Sequence, residues 1–273
     1  MASNSIDGKH IAQNILTALK SRTALQSLQL AAILIGNDPG LKKFVGIKKK
    51  AAESAGITFS SYEFADGASV QEILDTIEYL NRDSSVQGIF VELPLPQKYD
   101  RDAILNAIDP IKDVDVISAA MQKNFYANTS KILPPAVGAL QAVLKECTID
   151  LKGKQVALFG HGFLVGKPIA HWIHKKGAHV QIIDEHTSDP SQYSLVADVI
   201  ITAVGKPNIL TGAMVRENAV VIDYGFEKHA DRVVGDVDFL SVAPKALLIT
   251  PVPGGMGPIV VAAVLENLTL LAK

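Results

Sequence analysis

The sequence predicts an α/β protein built from parallel sheets that are covered by helices. Two observations support this fold class: short apolar runs bounded by turn residues, and amphipathic segments between them with apolar residues three and four positions apart. Parallel strands need long crossover connections, and the alternation supplies a helix for each. Strands are predicted at 28–35, 57–64, 86–93, 155–159, 178–183, 197–204, 219–223 and 247–250.

Helical periodicity fills most of the intervals between these strands. Ser69 stands at an N-cap position before one helix, and Gly56 follows the end of another. Residues 109–135 have little periodicity and three prolines, so we expect long loops there. Helices are predicted at 7–26, 41–55, 69–81, 102–107, 137–145, 168–176 and 259–271.

The composition is typical of a cytoplasmic protein with a sizeable core. The chain has 273 residues, 48% of them hydrophobic, and a net charge of −2 with both signs mixed along it, which favours neither a nucleic-acid nor a membrane partner. Its single cysteine, Cys147, excludes an intrachain disulfide and fits a reducing compartment. We find no leader pattern and no apolar run of membrane-spanning length.

The segment Val156–Pro168 has the pattern of a dinucleotide site. An apolar strand ends in a turn with three glycines, Gly160, Gly162 and Gly166, and a helix follows. Glycines allow close backbone approach, and a helix N-terminus offers N–H groups to a pyrophosphate. The next strand ends in Asp184, which can accept hydrogen bonds from a ribose. The alternative is an ordinary strand–helix turn whose glycines only permit close packing.

Seven segments along the chain carry a family resemblance. They are Val45–Gly56, with a Lys-x-Lys-Ala-Ala core, Leu93–Pro96, Lys112–Asp115, Val165–Pro168, Ala203–Pro207, Val234–Val237 and Ile249–Pro258. Together and in this order, they resemble the methylenetetrahydrofolate dehydrogenase/methenyltetrahydrofolate cyclohydrolase family. The Pro-Val-Pro-Gly-Gly-x-Gly-Pro motif in the last of them is highly specific.

The resemblance implies two domains and a two-step reaction. A folate and catalytic domain would comprise residues 1–137, completed by 250–273, and a Rossmann-like domain would comprise 138–249. The implied chemistry is NAD(P)-dependent oxidation of 5,10-methylenetetrahydrofolate to the methenyl form, followed by hydrolysis to 10-formyltetrahydrofolate. The resemblance also implies a homodimer.

Two residues are the catalytic candidates. Lys48 falls on the family's catalytic lysine, although its basic surroundings alone would favour a solvated helix face. Glu92 stands where the family has glutamine. A carboxylate there is expected to pair with Lys48 and keep it protonated, which makes a poor base and weakens the hydrolytic step. Alternatively, Glu92 itself acts as the base.

The predicted substrate residues include one departure from the family. Phe44 lies one helical turn before Lys48, where the family has a tyrosine that stacks on the pterin. Asp115 matches the aspartate that accepts hydrogen bonds from the pterin edge. The loop residues Pro253, Gly254 and Gly255 would approach the flat ligand. Three further departures are Val116 for glycine, the segment 133–136, and a valine at 260 or 261 for threonine.

The cofactor residues favour NAD over NADP. The family's Gly-Arg-Ser is replaced by Gly160-His161-Gly162, which removes the arginine and serine that would contact a 2′-phosphate. Asp184 would repel that phosphate. The other predicted cofactor residues are Val165, Gly166, Val204 and Gly205. No metal site is predicted, since His179 and His186 lack the spacing of metal ligands.

Two further hypotheses stay open. In one, the scaffold transfers a one-carbon unit to another acceptor without net oxidation. In the other, the protein binds folate or dinucleotide without catalysis. Turnover of the cofactor with methylenetetrahydrofolate separates the dehydrogenase from both, and product analysis with candidate acceptors separates the two from each other.

Overall fold

A computed structural model describes residues 4–23, 27–229 and 232–272 of the chain. The chain folds into two compact units. The three-stranded unit comprises Gln13–Pro135 and Val261–Lys273, and the five-stranded unit comprises Met1–Ala12 and Ala136–Val260. All three divisions between them fall inside helices, α1 (Gly8–Thr23), α6 (Pro135–Glu146) and α10 (Met256–Leu271). These units are defined by packing alone. The boundaries predicted above for the folate domain (1–137 with 250–273) and the Rossmann-like domain (138–249) therefore remain predictions.

The three-stranded unit is a small parallel sheet in the order β2-β1-β3. Every residue of the central strand after Gln29 is buried, as expected for a strand with a neighbour on both sides and helices on its faces. The register places Leu30 beside Phe59 on one side and Gly88 on the other. The elements are β1 (Gln29–Ile35), α2 (Pro39–Ser54), β2 (Thr58–Phe64), α3 (Val70–Arg82), β3 (Gly88–Val91), α4 (Arg101–Asn106) and α5 (Ala119–Tyr126).

The C-terminal part of α10 packs into the core of this three-stranded unit. Its buried residues Val264, Leu265 and Leu268 belong to the same hydrophobic cluster as Leu30 of the central strand. The side-chain amide of the buried Asn267 donates to the carbonyl oxygens of residues 114 and 133, both at 2.8 Å. These two hydrogen bonds satisfy the side-chain amide of Asn267, whose burial without partners would cost free energy.

The five-stranded unit is a parallel sheet in the order β10-β7-β6-β4-β5. The chain passes from β4 to β5 on one side and then returns to place β6 on the other side of β4. This reversal is a topological switch point, where open α/β sheets bind ligands beyond the carboxyl ends of the strands. The elements are α6 (Pro135–Glu146), β4 (Gln155–Phe159), α7 (Gly166–Lys175), β5 (His179–Ile183), α8 (Ser191–Ser194), β6 (Val199–Thr202), β7 (Val220–Asp223), β8 (Glu227–His229), β9 (Arg232–Val234), α9 (Phe239–Val242) and β10 (Leu248–Ile249).

The predicted fold class is confirmed, and one local prediction is wrong. Residues 109–135 are not loop throughout, because they contain α5. Ser118 caps this helix by accepting a hydrogen bond from the Met121 amide, and Met121 and Phe125 bury one face. Residues 24–26, the end of the first predicted helix, lie outside the described residues.

Cys147 lies directly after α6 and is partly buried. Burial raises the pKa of its thiol, and the neighbouring Glu146 carboxylate raises it further. The thiolate is therefore disfavoured near neutral pH, in agreement with a structural cysteine. In the described part of the chain, no helix is both long and apolar enough to cross a membrane.

Candidate active site and dinucleotide site

The catalytic candidates Lys48 and Glu92 are in direct contact in the three-stranded unit. Lys48 projects from α2, and Glu92 follows β3, where its amide donates to the Ile33 carbonyl and extends the sheet. The Lys48 Nζ donates to Glu92 Oε2 at 2.7 Å, with 14% and 9% of the two side chains exposed. The pairing expected from the sequence is therefore present, and it is largely shielded from water.

Phe90 is a third member of this cluster, which the sequence analysis missed. The Lys48 Nζ lies 4.2 Å from the centroid of the Phe90 ring, within the range of a cation–π interaction. Phe90 is fully buried, so its ring is a rigid support for the ammonium group. The two-residue spacing between Phe90 and Glu92 could have indicated a common face, because alternate residues of a strand point the same way.

Asp115 lies within electrostatic reach of the same pair. Burial raises the pKa of its carboxyl group to about 6, while the positive charge of Lys48 opposes the rise. The carboxylates of Asp113 and Glu92 add smaller upward contributions to this pKa. The structure thus brings Lys48, Glu92 and Asp115 together, with one acid that titrates close to neutral pH.

The turn that contains Asp115 is held in place by the carboxylate of Asp113, which is fully buried. Asp113 accepts hydrogen bonds from the amides of Ile117 and Ser118 at 3.0 and 2.8 Å, and from the Ser118 hydroxyl at 2.7 Å. Inside this turn, Val116 has a φ of 56°, a left-handed conformation that is rare for a β-branched residue. The backbone therefore keeps a shape that suits glycine, although the residue is valine.

The other predicted substrate residues divide between the two units. Phe44 is partly buried on α2, one turn before Lys48. Pro253, Gly254 and Gly255 belong to the five-stranded unit and form a tight turn. Gly254 has a φ of 105°, and the Gly255 amide donates to the Pro251 carbonyl at 2.8 Å. A Cβ on Gly255 would lie 2.5 Å from that carbonyl oxygen, so the turn itself requires glycine there.

The glycines of the turn after β4 can be compared with the two interpretations given above, a dinucleotide site and a turn whose glycines only permit close packing. Gly160 has a φ of 93°, and a Cβ on it would lie 2.5 Å from the Ala203 oxygen. A Cβ on Gly166 would overlap the carbonyl oxygen of Gly160. Close packing therefore explains these two glycines. A Cβ on Gly162 would meet no atom within 4 Å, so packing does not explain Gly162, and its small size leaves the surface open.

The remaining cofactor candidates surround the same switch point. His161 is exposed, and Val165 is the N-cap residue of α7. Asp184 is exposed beyond the end of β5, and its Oδ1 accepts from the His186 amide at 3.0 Å. Val204 and Gly205 follow β6, the strand on the other side of β4, and Val204 is 42% exposed. Open glycine backbone, a helix N-terminus and an acid at the next strand fit a dinucleotide.

The loop after β6 is held by a residue to which the sequence analysis gave no role. Asp236, fully buried, accepts hydrogen bonds from the amides of Val204 and Lys206, both at 2.7 Å. The only signal in the sequence was its membership of the Val234–Val237 segment. Across the described residues, no three His, Cys, Asp or Glu side chains are grouped as metal ligands.

A glycine turn at the switch point of one unit and a shielded lysine–carboxylate pair in the other define a two-unit α/β enzyme that uses a dinucleotide. Residues 6–115 match the model of the tetrahydrofolate dehydrogenase/cyclohydrolase catalytic domain, and residues 134–273 match the NAD(P)-binding domain of the same family. The chain belongs to the tetrahydrofolate dehydrogenase/cyclohydrolase family.

Similar proteins agree with this membership over nearly the whole chain. The bifunctional protein FolD of Agathobacter rectalis is 41% identical over 270 residues, 97% of each chain. The crystal structure of the bifunctional FolD of Campylobacter jejuni has a TM-score of 0.93 at 37% identity, covering 98% of this chain and 97% of that one. The FolD of Trypanosoma brucei, solved with NADP and an inhibitor, has a TM-score of 0.95 at 29% identity, with coverage of 98% and 97%.

The predicted family, enzyme class and role in one-carbon folate metabolism are therefore confirmed. An NAD(P)-binding domain and a catalytic domain for tetrahydrofolate chemistry are both present.

Proposed function

We propose that this enzyme oxidises 5,10-methylenetetrahydrofolate with NAD in preference to NADP, and that Lys48 and Glu92 form the catalytic pair for hydrolysis of the methenyl product. Phe44, Asp115 and the loop residues 253–255 would bind the folate. The observation that supports this proposal best is the 2.7 Å contact between Lys48 and Glu92 beside a third titratable group, Asp115. Clusters of this kind, with perturbed acids, are typical of catalytic sites.

The Lys48–Glu92 contact determines which proton transfers the site can perform. In the hydrolytic step, water adds to the methenyl carbon and loses a proton, while the broken C–N bond leaves its electron pair on nitrogen, which takes up a proton. An ammonium group held against a carboxylate can donate a proton but accepts none. We therefore expect Lys48 to be a poor base, and hydrolysis to be weak beside oxidation.

The folate-binding residues act mainly by alignment. The Asp115 carboxylate can accept two hydrogen bonds from an amino-pyrimidine edge, which fixes the ring in one orientation. Phe44 can stack on the pterin but has no hydroxyl group to place a water molecule. The bound dinucleotide supplies the hydride acceptor, and the protein holds the one-carbon bridge in position for it.

The preference for NAD rests on Asp184 and the glycine turn. Asp184 is exposed and follows β5 directly, so its carboxylate is placed to accept from ribose hydroxyls and to repel a 2′-phosphate. The turn Gly160-His161-Gly162 offers no arginine to that phosphate. Calorimetry with both dinucleotides tests this preference, and equal or tighter binding of NADP would contradict it.

Absorbance of the reduced nicotinamide during incubation with methylenetetrahydrofolate tests the oxidation directly. We expect turnover with NAD and slower turnover with NADP. A parallel assay follows loss of methenyltetrahydrofolate to measure hydrolysis. If the protein binds NAD and folate but reduces neither dinucleotide, the dehydrogenase assignment fails and transfer to another acceptor becomes the hypothesis to pursue.

We further propose that the enzyme is a homodimer that works in the cytoplasm. The family resemblance supports the dimer, and the single cysteine is compatible with a reducing compartment. Sedimentation equilibrium tests the assembly, and a mass equal to one chain at micromolar concentration would contradict it. Fractionation of the source cells tests the compartment.

A further inference from the structure

The loop that follows β6 encloses an anion supplied by the chain itself. The amides of Val204, Gly205 and Lys206 all donate to the carboxylate of Asp236. Gly205 has a φ of 73°, so three successive N–H groups turn toward one point. A concave arrangement of successive backbone amides is an anion-binding nest. In the structure, the fully buried carboxylate of Asp236 occupies this nest.

Because the nest is occupied, Val204 and Gly205 can contribute to cofactor binding only by means other than their amides. Their amides are already used, so they are not available to a pyrophosphate. Their contribution must come from the shape of the loop and from the exposed side chain of Val204. The loop also contacts the glycine turn, since a Cβ on Gly160 would lie 2.5 Å from the Ala203 oxygen and 3.2 Å from Val204 Cγ2.

A second buried carboxylate fixes Asp236 in turn. Asp223, at the end of β7, accepts from the Asp236 amide at 3.2 Å and from the Val237 amide at 3.1 Å. It also accepts from the Thr202 hydroxyl at 2.9 Å, which ties it to the end of β6. The backbone of Asp236 is therefore anchored to the sheet, and its side chain transmits that position to the loop.

We propose that Asp236 is a positioning residue for the dinucleotide: it holds Val204–Lys206 in the conformation that forms one side of the crevice beyond β4 and β6. The inference rests on the placement of the dinucleotide in the five-stranded unit and deepens it. Asp236 touches no reacting atom, and its effect passes through the loop alone. Loss of the carboxylate would therefore weaken dinucleotide binding while leaving the three-stranded unit unaffected.

The test replaces Asp236 with asparagine and measures both ligands. In Asp236→Asn, one acceptor oxygen becomes an NH₂ group that faces a backbone N–H, so one loop amide loses its partner. We expect the Kd and KM for NAD to rise at least tenfold. The KM for methylenetetrahydrofolate, and kcat at saturating NAD, should change less than twofold. Faster hydrogen exchange at residues 204–206 should accompany the change.

Asp198→Asn is the matched control. Asp198 is in the same unit and accepts from the Gln155 amide at 2.8 Å, but it precedes β6 and so lies at the opposite end of the strand from the crevice. This variant should lose stability without a change in Kd for NAD. If Asp236→Asn fails to fold, Gly205→Ala perturbs the same loop through its positive φ, with room for the methyl group, and should raise the Kd likewise.

Two outcomes would overturn the inference. Wild-type-like binding of NAD by Asp236→Asn would show that the carboxylate is only structural. Wild-type-like binding by Gly205→Ala, where that variant is used, would show that the conformation of the loop does not determine NAD affinity. If the wild-type protein binds neither NAD nor NADP, both this inference and the proposed function fail, so the two failures are distinguishable.

Discussion

At the residue scale, the contact between Lys48 and Glu92 predicts that a single substitution changes the rate of hydrolysis. Glu92→Gln keeps the shape and an acceptor for Lys48 but removes the negative charge. We expect hydrolysis of methenyltetrahydrofolate to rise, by at most the roughly 10²- to 10⁴-fold that general-base catalysis typically contributes. The measurement is the initial rate of methenyl loss at saturating substrate.

The control for this experiment is Lys48→Ala, which should abolish the remaining hydrolysis. Oxidation of methylenetetrahydrofolate by Glu92→Gln should stay close to wild type, because the alignment of folate and dinucleotide does not depend on the charge. If Glu92→Gln instead eliminates activity, Glu92 is itself the base. If neither substitution changes folate chemistry, the catalytic assignment is wrong.

The raised pKa of Asp115 predicts that folate binding depends on pH in the range around 6. Its pKa is raised from 3.8 to about 6, so the carboxylate that accepts hydrogen bonds predominates only above that pH. We expect the KM for folate to rise as pH falls through about 6, and this pH dependence to disappear in Asp115→Asn. The same pKa shift also makes folding stability depend on pH. The folded state binds the Asp115 proton more tightly than the unfolded state does. The shift therefore stabilises the fold below pH 3.8, and this contribution is lost as the pH rises through 6. A pH-independent KM in the wild type would contradict the role of Asp115.

At the element scale, α2 is important because it contains both Phe44 and Lys48. Its N-cap Asp38 accepts hydrogen bonds from the amides of Gly40 and Leu41 at 2.6 and 3.1 Å, and Pro39 occupies the first helical position. Asp38→Ala should lower the free energy of unfolding by about 1 kcal/mol, whereas Asp38→Asn should keep most of it. Urea denaturation measures both variants. An alanine variant as stable as the wild type would show that the cap contributes nothing.

The glycine turn after β4 offers a direct comparison of packing with ligand approach. Gly162→Ala should weaken NAD binding without loss of stability, because no protein atom lies near the added methyl group. Gly160→Ala should destabilise the fold, since the methyl group would meet the Ala203 carbonyl and the φ is positive. Calorimetry and denaturation separate the two effects. Unchanged NAD affinity in Gly162→Ala would contradict the assignment of Gly162 to the dinucleotide site.

The sequence predicted long, periodic elements well and short or polar features poorly. Strand Gln155–Phe159 was predicted with both boundaries correct, because an apolar run ends at a glycine that packing requires. Helix α5 was missed because one buried pair, Met121 and Phe125, is too short a pattern to show periodicity. The nest around Asp236 joins residues about 30 positions apart, and no local pattern signals such a contact.

The contact between Lys48 and Glu92 illustrates a second limit of sequence reasoning. Lys48 and Glu92 are 44 residues apart, and only the family resemblance suggested that they meet. Composition and periodicity would have placed Lys48 on a solvated basic face with Lys49 and Lys50, which are indeed exposed. Phe90 was missed because an apolar residue in a buried strand looks like ordinary core.

At the scale of the whole molecule, each ligand should protect its own part of the chain. Hydrogen exchange with mass spectrometry should show NAD protecting residues 155–166 and 203–206. Folate should protect residues 44–50, 90–92, 113–118 and 251–256, because binding stabilises the native state of the segments that hold the ligand. Protection of residues 44–50 by NAD alone would contradict the assignment of the two sites.

The raised pKa of the Cys147 thiol has a practical consequence for studies of the molecule in solution. It is the single thiol of the chain, and burial together with Glu146 suppresses its thiolate near neutral pH. A second cysteine placed on an exposed helix face would keep an ordinary thiol and react with a maleimide much faster. Fluorophores or spin labels can therefore be attached at one chosen position while the native cysteine is retained.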